Sequence, residues 1–159
     1  MNQAMPPTDT NAILQLSDVC VGYNKNNIIQ SASFNLVDNE ICCLLGPSGC
    51  GKSTLLRSIA GFEPLISGNI SMLGEQISTG DYIRPPELRE IGLVFQDLAL
   101  FPHLSIEQNI RFGIKHWSKS DQSKRVSQLL KLVGLAGMER RLPDSLSGGQ
   151  QQRIALARA

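Results

Sequence analysis

The sequence has few aromatic residues, little net charge and no long apolar run. Its 159 residues include one tryptophan, two tyrosines and two histidines, and the formal net charge is only +1. So small a charge gives no dominant attraction for a phosphate backbone, so no nucleic-acid partner is expected. The longest apolar run, residues 41–45, is far shorter than the roughly 20 residues that cross a bilayer. The composition is that of a globular protein, with 42% hydrophobic and 18% charged residues.

Cysteine is also scarce. The four cysteines lie at positions 20, 42, 43 and 50, a spacing that matches neither a C-x-x-C pair nor a zinc site. Residues 1–12 are polar, include Pro6 and Pro7, and lack the basic start and apolar core of a secretory signal. We therefore expect a cytosolic chain with reduced thiols and a short disordered lead at 1–12.

The apolar patterns predict several strands. Partly alternating segments at 13–22 and 28–37 predict antiparallel strands with a turn at 24–27. The continuous apolar runs at 40–45 and 91–95 are typical of strands covered on both faces. A further strand is predicted within residues 67–77.

Four helices are predicted from the 3.6-residue periodicity. The first follows a glycine-rich loop and ends at Gly61, with an apolar face of Leu55, Leu56, Ile59 and Ala60. The second begins at Ser105, which has capping-box spacing to Gln108, and its apolar face is Ile106, Ile110, Ile114 and Trp117. The third is closed by Gly134 and carries Val126, Leu129, Leu130 and Val133. The fourth begins near Ser147.

The glycine-rich loop predicts a phosphate site. Residues 46–53, GPSGCGKS, have the form G-x-x-x-x-G-K-[ST], and they lie between an apolar run and an amphipathic helix. The glycines let successive N–H groups point at an anion, and the helix adds its positive N-terminal end. Lys52 supplies a charge for the β/γ-phosphates and the Ser53 hydroxyl a ligand for Mg²⁺. ATP with Mg²⁺ is therefore predicted to bind Gly46, Ser48, Gly49, Cys50, Gly51, Lys52, Ser53 and Thr54.

Cys50 has two interpretations. A thiol near Lys52 and a helix N-terminus is expected to be reactive, so that mild oxidation would abolish ATP binding. Alternatively, Cys50 is a tolerated small residue whose backbone N–H alone contacts phosphate.

A second anion site is predicted about a hundred residues later, in the LSGGQ segment 146–150. Ser147 and Gln150 have the spacing of a capping box, and Gly148 and Gly149 leave the start of the helix bare. Exposed N–H groups, a hydroxyl and the helix dipole together favour an anion.

With these two motifs in this order, the chain resembles the ATP-binding subunits of ABC transporters from Ile13 to Ala159. The resemblance implies that Tyr23 stacks on adenine and that Gln96 reaches Mg²⁺, beside the Ser53 ligand. It also implies a head-to-tail dimer with a second ATP-binding subunit. In that dimer the ATP held by one subunit is contacted by the other subunit's Ser147, Gly148, Gly149 and Gln150.

The fold implied by the resemblance is α/β, a P-loop NTPase core with an antiparallel β subdomain and a helical subdomain. We expect the β subdomain and P-loop core at 13–97, and the helical subdomain with the signature helix at 98–159. The family's Asp-Glu strand, loop Asp and switch His are not among these residues. We therefore assign no catalytic residue, and expect the N-terminal portion of a longer subunit, truncated before the Asp-Glu strand and without ATP turnover of its own.

Residues 97–104, DLALFPHL, resemble the corresponding segment of bacterial importers for ferric iron, polyamines, sulfate or sugars. Ferric iron is the first candidate solute. The resemblance implies transmembrane permease subunits as partners, a solute-binding protein indirectly, and a peripheral position on the cytoplasmic face of the inner membrane. Leu98, Leu100 and Phe101 are expected on a surface that contacts the permease.

Three other functions are compatible with the motifs. A soluble ABC-class ATPase of DNA repair or translation shares both, although the importer-like segment at 96–104 favours transport. A regulatory module that binds ATP without hydrolysing it is the non-enzymatic alternative. An unrelated P-loop kinase is disfavoured by residues 146–150.

Overall fold

The computed structural model describes residues 12–23 and 26–159. They divide into two compact units, one ending at Ile91 and the other comprising Gly92–Ala159. The first unit contains strands β1 (Ala12–Tyr23), β2 (Asn26–Val37), β3 (Ser67–Met72) and β4 (Glu75–Thr79), helix α1 (Lys52–Ala60) and a 3₁₀ turn at Pro86–Leu88. The second contains helices α2 (Ile106–Arg111), α3 (Lys119–Leu132) and α4 (Gly148–Arg158), with 3₁₀ turns at Phe112–Ile114 and Pro143–Ser145.

The sheet of the first unit is antiparallel throughout, in the order β2-β1-β3-β4. The two predicted strands at 13–22 and 28–37 are confirmed as β1 and β2. Part of the turn predicted between them lies outside the described residues, and Asn26 and Asn27 already belong to β2. The predicted strand at 67–77 is a hairpin of β3 and β4, because Leu73 and Gly74 both take positive φ, 51° and 79°, as a two-residue hairpin turn requires.

The two continuous apolar runs are not strands, so this part of the prediction is wrong. Residues 41–47 and 91–95 have no regular secondary structure, and Ile41 and Leu45 are each 91% exposed. An apolar run indicates that burial of the segment is favourable, but a strand forms only where a neighbouring strand supplies hydrogen bonds. Among the described residues, only the four strands β1, β2, β3 and β4 pair with one another in the sheet. Neither apolar run is paired with any of them.

The core of the first unit lies between the sheet and α1. It is formed by Leu16, Val19, Val21, Leu55, Ile59, Leu65, Ile70 and Ile77. Helix α1 ends where predicted, because Gly61 takes a left-handed conformation with φ 90° and its N–H returns to the last turn. Leu56 was predicted on the buried face but is 45% exposed. The other three predicted residues are buried, and Ser58 is buried in place of Leu56.

The second unit has its own helical core, formed by Ile106, Ile110, Val126, Leu130, Leu135, Leu146 and Ile154. The predicted capping box at the start of α2 is confirmed, with Ser105 and Gln108 bonded reciprocally. Helix α2 is shorter than predicted, since it ends at Arg111 and a 3₁₀ turn follows. Trp117 therefore leaves the apolar face and is 43% exposed. The third helix is confirmed as α3, with Gly134 at φ 69° just beyond its end.

Candidate phosphate-binding site

The loop before α1 contains two glycines, Gly46 and Gly51, that no other residue can replace without displacing a neighbour. Gly51 has φ 96°, and a Cβ there would collide with Ile29 and lie 2.8 Å from Ile28 Cγ2. The loop backbone therefore lies directly against β2. A Cβ at Gly46 would lie 2.7 Å from Cys50 Sγ, so the two ends of the loop are also in close contact. The result is a tight backbone cradle of the kind that holds phosphate.

The Lys52 ammonium lies inside this cradle. Its Nζ donates hydrogen bonds to the carbonyl oxygens of Gly46 at 2.8 Å and Pro47 at 2.7 Å, and it lies 3.4 Å from Cys50 Sγ. The positive charge is thus held over the loop by the loop itself. Phosphate oxygens that enter the cradle would replace the two carbonyls as acceptors of this ammonium.

The start of α1 suits an anion better than the starts of the other helices do. Helices α2, α3 and α4 each begin with a serine whose side chain accepts a backbone N–H. Helix α1 begins at Gly51, with no side-chain cap and no acidic residue in its first turn. The first intrahelical bond is donated by Leu55 to Gly51, so the N–H groups of residues 52–54 have no acceptor within the helix. These donors, Lys52 and the exposed Ser53 hydroxyl fit a nucleotide phosphate with Mg²⁺.

Covalent modification of Cys50 is expected to weaken ATP binding by at least about tenfold, because an adduct on Sγ would fill the space between Gly46 and Lys52. N-ethylmaleimide followed by a MgATP binding titration measures this. Cys42→Ser and Cys43→Ser are the matched controls, since both of these thiols are also exposed. Their ATP affinity should remain sensitive to the reagent, whereas that of Cys50→Ser should not change on treatment. Equal sensitivity of all three variants would contradict the prediction.

Tyr23, predicted to stack on adenine, ends β1 and is 45% exposed. A hydrogen bond to the Glu63 carboxylate, with smaller effects of burial and of the charge of Glu63, raises the pKa of the Tyr23 hydroxyl, and Arg57 opposes the rise. The hydroxyl end of the ring therefore lies close to the segment that follows α1. Its contact with adenine stays a prediction.

Gln96 lies exposed in a turn of the second unit, formed by residues 96–99, and its contact with Mg²⁺ also stays a prediction. The turn is strained, because Leu98 and Ala99 take φ values of 61° and 46° that L-residues rarely adopt. Arg158 holds it by donating to the carbonyl oxygens of Ala99 at 2.6 Å and Leu98 at 3.2 Å. Burial lowers the pKa of the Arg158 guanidinium.

The segment after this turn is held by Asn109, which is fully buried. Its side chain accepts a bond from the Phe101 N–H at 2.9 Å and donates to the carbonyls of Phe101, Leu104 and Ser105. Leu98, Leu100 and Phe101 are each partly exposed, and their contact with a permease stays a prediction. Leu100 packs on the helical core, and the centres of the Phe101 and Phe112 rings lie 4.6 Å apart.

The predicted second anion site begins α4. Ser147 caps the helix by accepting from the Gln150 N–H at 3.4 Å, and the Gln150 side chain accepts from the Ser147 N–H at 2.9 Å. Gly148 and Gly149 are exposed, and a Cβ at either would meet no atom within 4 Å. The start of α4 is therefore ordered and accessible. Whether it contacts the ATP of a partner subunit stays a prediction.

Among the described residues, no group of three or more His, Cys, Asp or Glu side chains has the arrangement of a metal site. Among the same residues, no helix is both long enough and apolar enough to span a membrane.

Arg89 is a buried residue that no sequence pattern singled out. It is 3% exposed and connects α1 to β4. In the sequence Arg89 stands next to Glu90 and resembles any surface arginine, because only the fold brings its acceptors together.

A family profile described as ABC transporter matches residues 29–159. The chain belongs to the ABC transporter family. Three curated relatives show how this ABC-family chain compares. It is 48% identical, over 92% of its length, to the spermidine/putrescine import ATP-binding protein PotA of Clostridium novyi. It is 47% identical, over 86% of its length, to the Fe(3+) ions import ATP-binding protein FbpC of Fusobacterium nucleatum. It is 42% identical, over 92% of its length, to the xylose/arabinose import ATP-binding protein XacJ of Haloferax volcanii.

The chain spans 42%, 36% and 38% of these three relatives, respectively. Among solved structures it is similar to cbiO1 of Clostridium perfringens, described as part of the ABC transporter complex cbiONQ. The TM-score is 0.79 at 32% identity, and the match covers 92% of this chain and 60% of that one. The ABC ATPase fold expected from the two motifs is confirmed by these matches.

Proposed function

We propose that the chain is the ATP-binding part of the energy-coupling subunit of an ABC importer. The observation that carries the proposal is the cradle at residues 46–53, in which a lysine ammonium is held 2.7–2.8 Å from two loop carbonyls beside the uncapped start of α1. Both features favour the phosphates of a nucleotide. The three curated relatives are all named as import ATP-binding proteins, which supports transport over DNA repair or translation.

Each part of the nucleotide has a proposed contact. The N–H groups of residues 49–54 and the Lys52 ammonium bind the phosphates, and the Tyr23 ring stacks on adenine. The Ser53 hydroxyl and the Gln96 side chain hold Mg²⁺. When bound, Mg²⁺ supplies charge neutralisation at the β- and γ-phosphate oxygens. Turnover of ATP is proposed for the complete subunit and not for these 159 residues.

The proposed partner in the nucleotide cycle is a second ATP-binding subunit. Ser147, Gly148 and Gly149 begin an exposed helix. The capping box engages the Gln150 N–H, whereas the N–H groups of Gly148 and Gly149 have no acceptor within the helix, so this helix start suits the γ-phosphate held by another copy. ATP bound between two copies would hold them together, and hydrolysis would release them.

The proposed membrane partner is a permease subunit at the cytoplasmic face of the inner membrane. The second unit has a groove of about 410 Å³ that combines two apolar, two amide and two basic side chains. It is lined by Leu104, Gln108, Arg111, Phe112, Lys115 and Gln122. The Lys115 ammonium lies 3.6 Å from the centre of the Phe112 ring. A short amphipathic helix of the permease with an acidic side chain fits this combination of charge and apolar surface.

Ferric iron is kept as the first candidate solute, and a solute-binding protein as an indirect partner. Import proteins for Fe(3+) ions are among the relatives, together with those for polyamines and sugars. None of the contacts described above touches a solute, because they serve the nucleotide and protein partners.

Competition for a fluorescent ATP analogue tests the nucleotide part of the proposal. We expect MgATP and inorganic tripolyphosphate both to displace the analogue, because the cradle binds phosphate oxygens. Adenosine should displace it only at concentrations about 100-fold higher than ATP, since it lacks the charge-assisted contacts. Displacement by adenosine at the concentration that suffices for ATP would contradict the proposal.

A further inference from the structure

Arg89 uses every N–H group of its guanidinium on neutral acceptors. Its Nε donates to the Arg84 carbonyl at 2.8 Å. Its Nη1 donates to the carbonyls of Ser58 and Ile59 at 3.1 Å and 2.7 Å. Its Nη2 donates to the Ile77 carbonyl at 2.9 Å and to Ser78 Oγ at 2.7 Å. An arginine has five such donors, so the side chain is held in one orientation.

Four of the five acceptors lie on two elements. Ser58 and Ile59 belong to the last turn of α1, and Ile77 and Ser78 belong to β4. The carbonyl groups at a helix C-terminus lack partners within the helix and carry the negative end of its dipole. Arg89 supplies both a donor and a positive charge there. The phosphate cradle lies at the opposite end of the same helix, about 13 Å away for a helix of this length.

Gly61 leaves space for the Arg89 guanidinium because it has no side chain. A Cβ at this residue would lie 2.6 Å from Arg89 Nε and 2.9 Å from Arg89 Cζ. The helix therefore ends with a residue that leaves room for the buried cation. Burial, with a smaller effect of the Arg84 charge, lowers the pKa of Arg89.

Stability alone does not require such an arrangement. Burying a charge carries a large desolvation cost, and apolar packing of similar volume is often as stabilising. The fork geometry offers what an apolar side chain lacks, since it fixes the distance and angle between two elements.

We propose that Arg89 is a positioning residue for the phosphate cradle. By joining the C-terminal end of α1 to β4, it fixes the direction in which the N-terminal end of α1 presents its N–H groups and Lys52. The inference rests on the proposed function, because it assumes that the cradle binds phosphate.

The experiment compares Arg89→Lys with Arg84→Lys in the full chain, using inorganic tripolyphosphate as the probe. Arg89→Lys keeps the charge but loses the fork, and we expect its dissociation constant to rise about tenfold. Arg84 is the matched control, because its side chain is partly exposed on the same unit and pairs with Glu75 at 2.9 Å. We expect Arg84→Lys to stay within about twofold of the parent.

Affinities are measured at a temperature well below the thermal midpoint of each variant. A merely structural role would lower the midpoint of Arg89→Lys and leave the affinity of the folded protein unchanged. Affinity within about twofold of the parent overturns the inference. Should Arg89→Lys not fold, Ser78→Ala removes one acceptor of the fork, and we expect about threefold weaker binding; unchanged affinity there overturns the inference as well.

Lys52→Ala in the same assay distinguishes failure of the proposed function from failure of the proposed role of Arg89. If Lys52→Ala binds tripolyphosphate normally, the proposed function fails. If Lys52→Ala loses binding and Arg89→Lys retains it, only the role of Arg89 fails.

Discussion

Replacing Lys52 by alanine is expected to weaken MgATP binding by about 100-fold or more, as measured by equilibrium titration. The ammonium is held inside the cradle by two carbonyls of the loop, where it can donate to phosphate oxygens. Two charge-assisted hydrogen bonds at about 1.5 kcal/mol each correspond to this factor. The alanine variant leaves those loop carbonyls accessible to water, so the fold should be preserved.

Lys124→Ala is the matched control for this change. Lys124 is an exposed lysine of α3, in the other unit, and its loss removes the same charge from the chain. The control should bind MgATP within about twofold of the parent. If the two variants bind equally well, Lys52 is not the phosphate ligand and the proposed function is wrong.

Replacing Gly148 by aspartate is expected to abolish ATP-driven association of two subunits while leaving ATP binding to each subunit intact. A side chain at Gly148 meets no atom within 4 Å, and an acidic residue in the first turn of a helix is favourable. The fold of α4 should therefore be unharmed. In the proposed dimer the new carboxylate would face the γ-phosphate, and like charges in an interface cost several kcal/mol, or at least about 100-fold in dimer affinity.

Gly148→Ala is the companion variant, because it adds bulk in the same place without charge. It should weaken ATP-driven dimerisation of the complete subunit much less than Gly148→Asp does, as measured by light scattering with and without MgATP. Dimerisation of Gly148→Asp at the parent's concentration would refute the proposed contact between α4 and the partner's ATP. A loss of ATP binding by the single subunit would instead show that the substitution acts within its own chain.

Local chemistry explains the elements that could be predicted. The capping boxes at Ser105 and Ser147 and the helix end at Gly61 each depend on a few consecutive residues. The antiparallel pairing of β1 and β2 followed from alternating apolar positions in two neighbouring segments. Trp117 was misplaced because a helical period was extended past Arg111, where a 3₁₀ turn changes the direction of the side chains.

The phosphate cradle and the capped start of α4 were determined by the sequence alone, because glycine, lysine and serine act on backbone groups within a few residues of themselves. Tertiary structure decided which apolar segments are covered. Residues 41–45 and 91–95 have the composition of buried strands, yet neither pairs with β1 to β4. Tertiary structure also decided the role of Arg89, whose acceptors at Ser58 and Ile77 lie 31 and 12 residues away in the chain. Contacts at such separations depend on how the whole unit packs, and no local pattern encodes them.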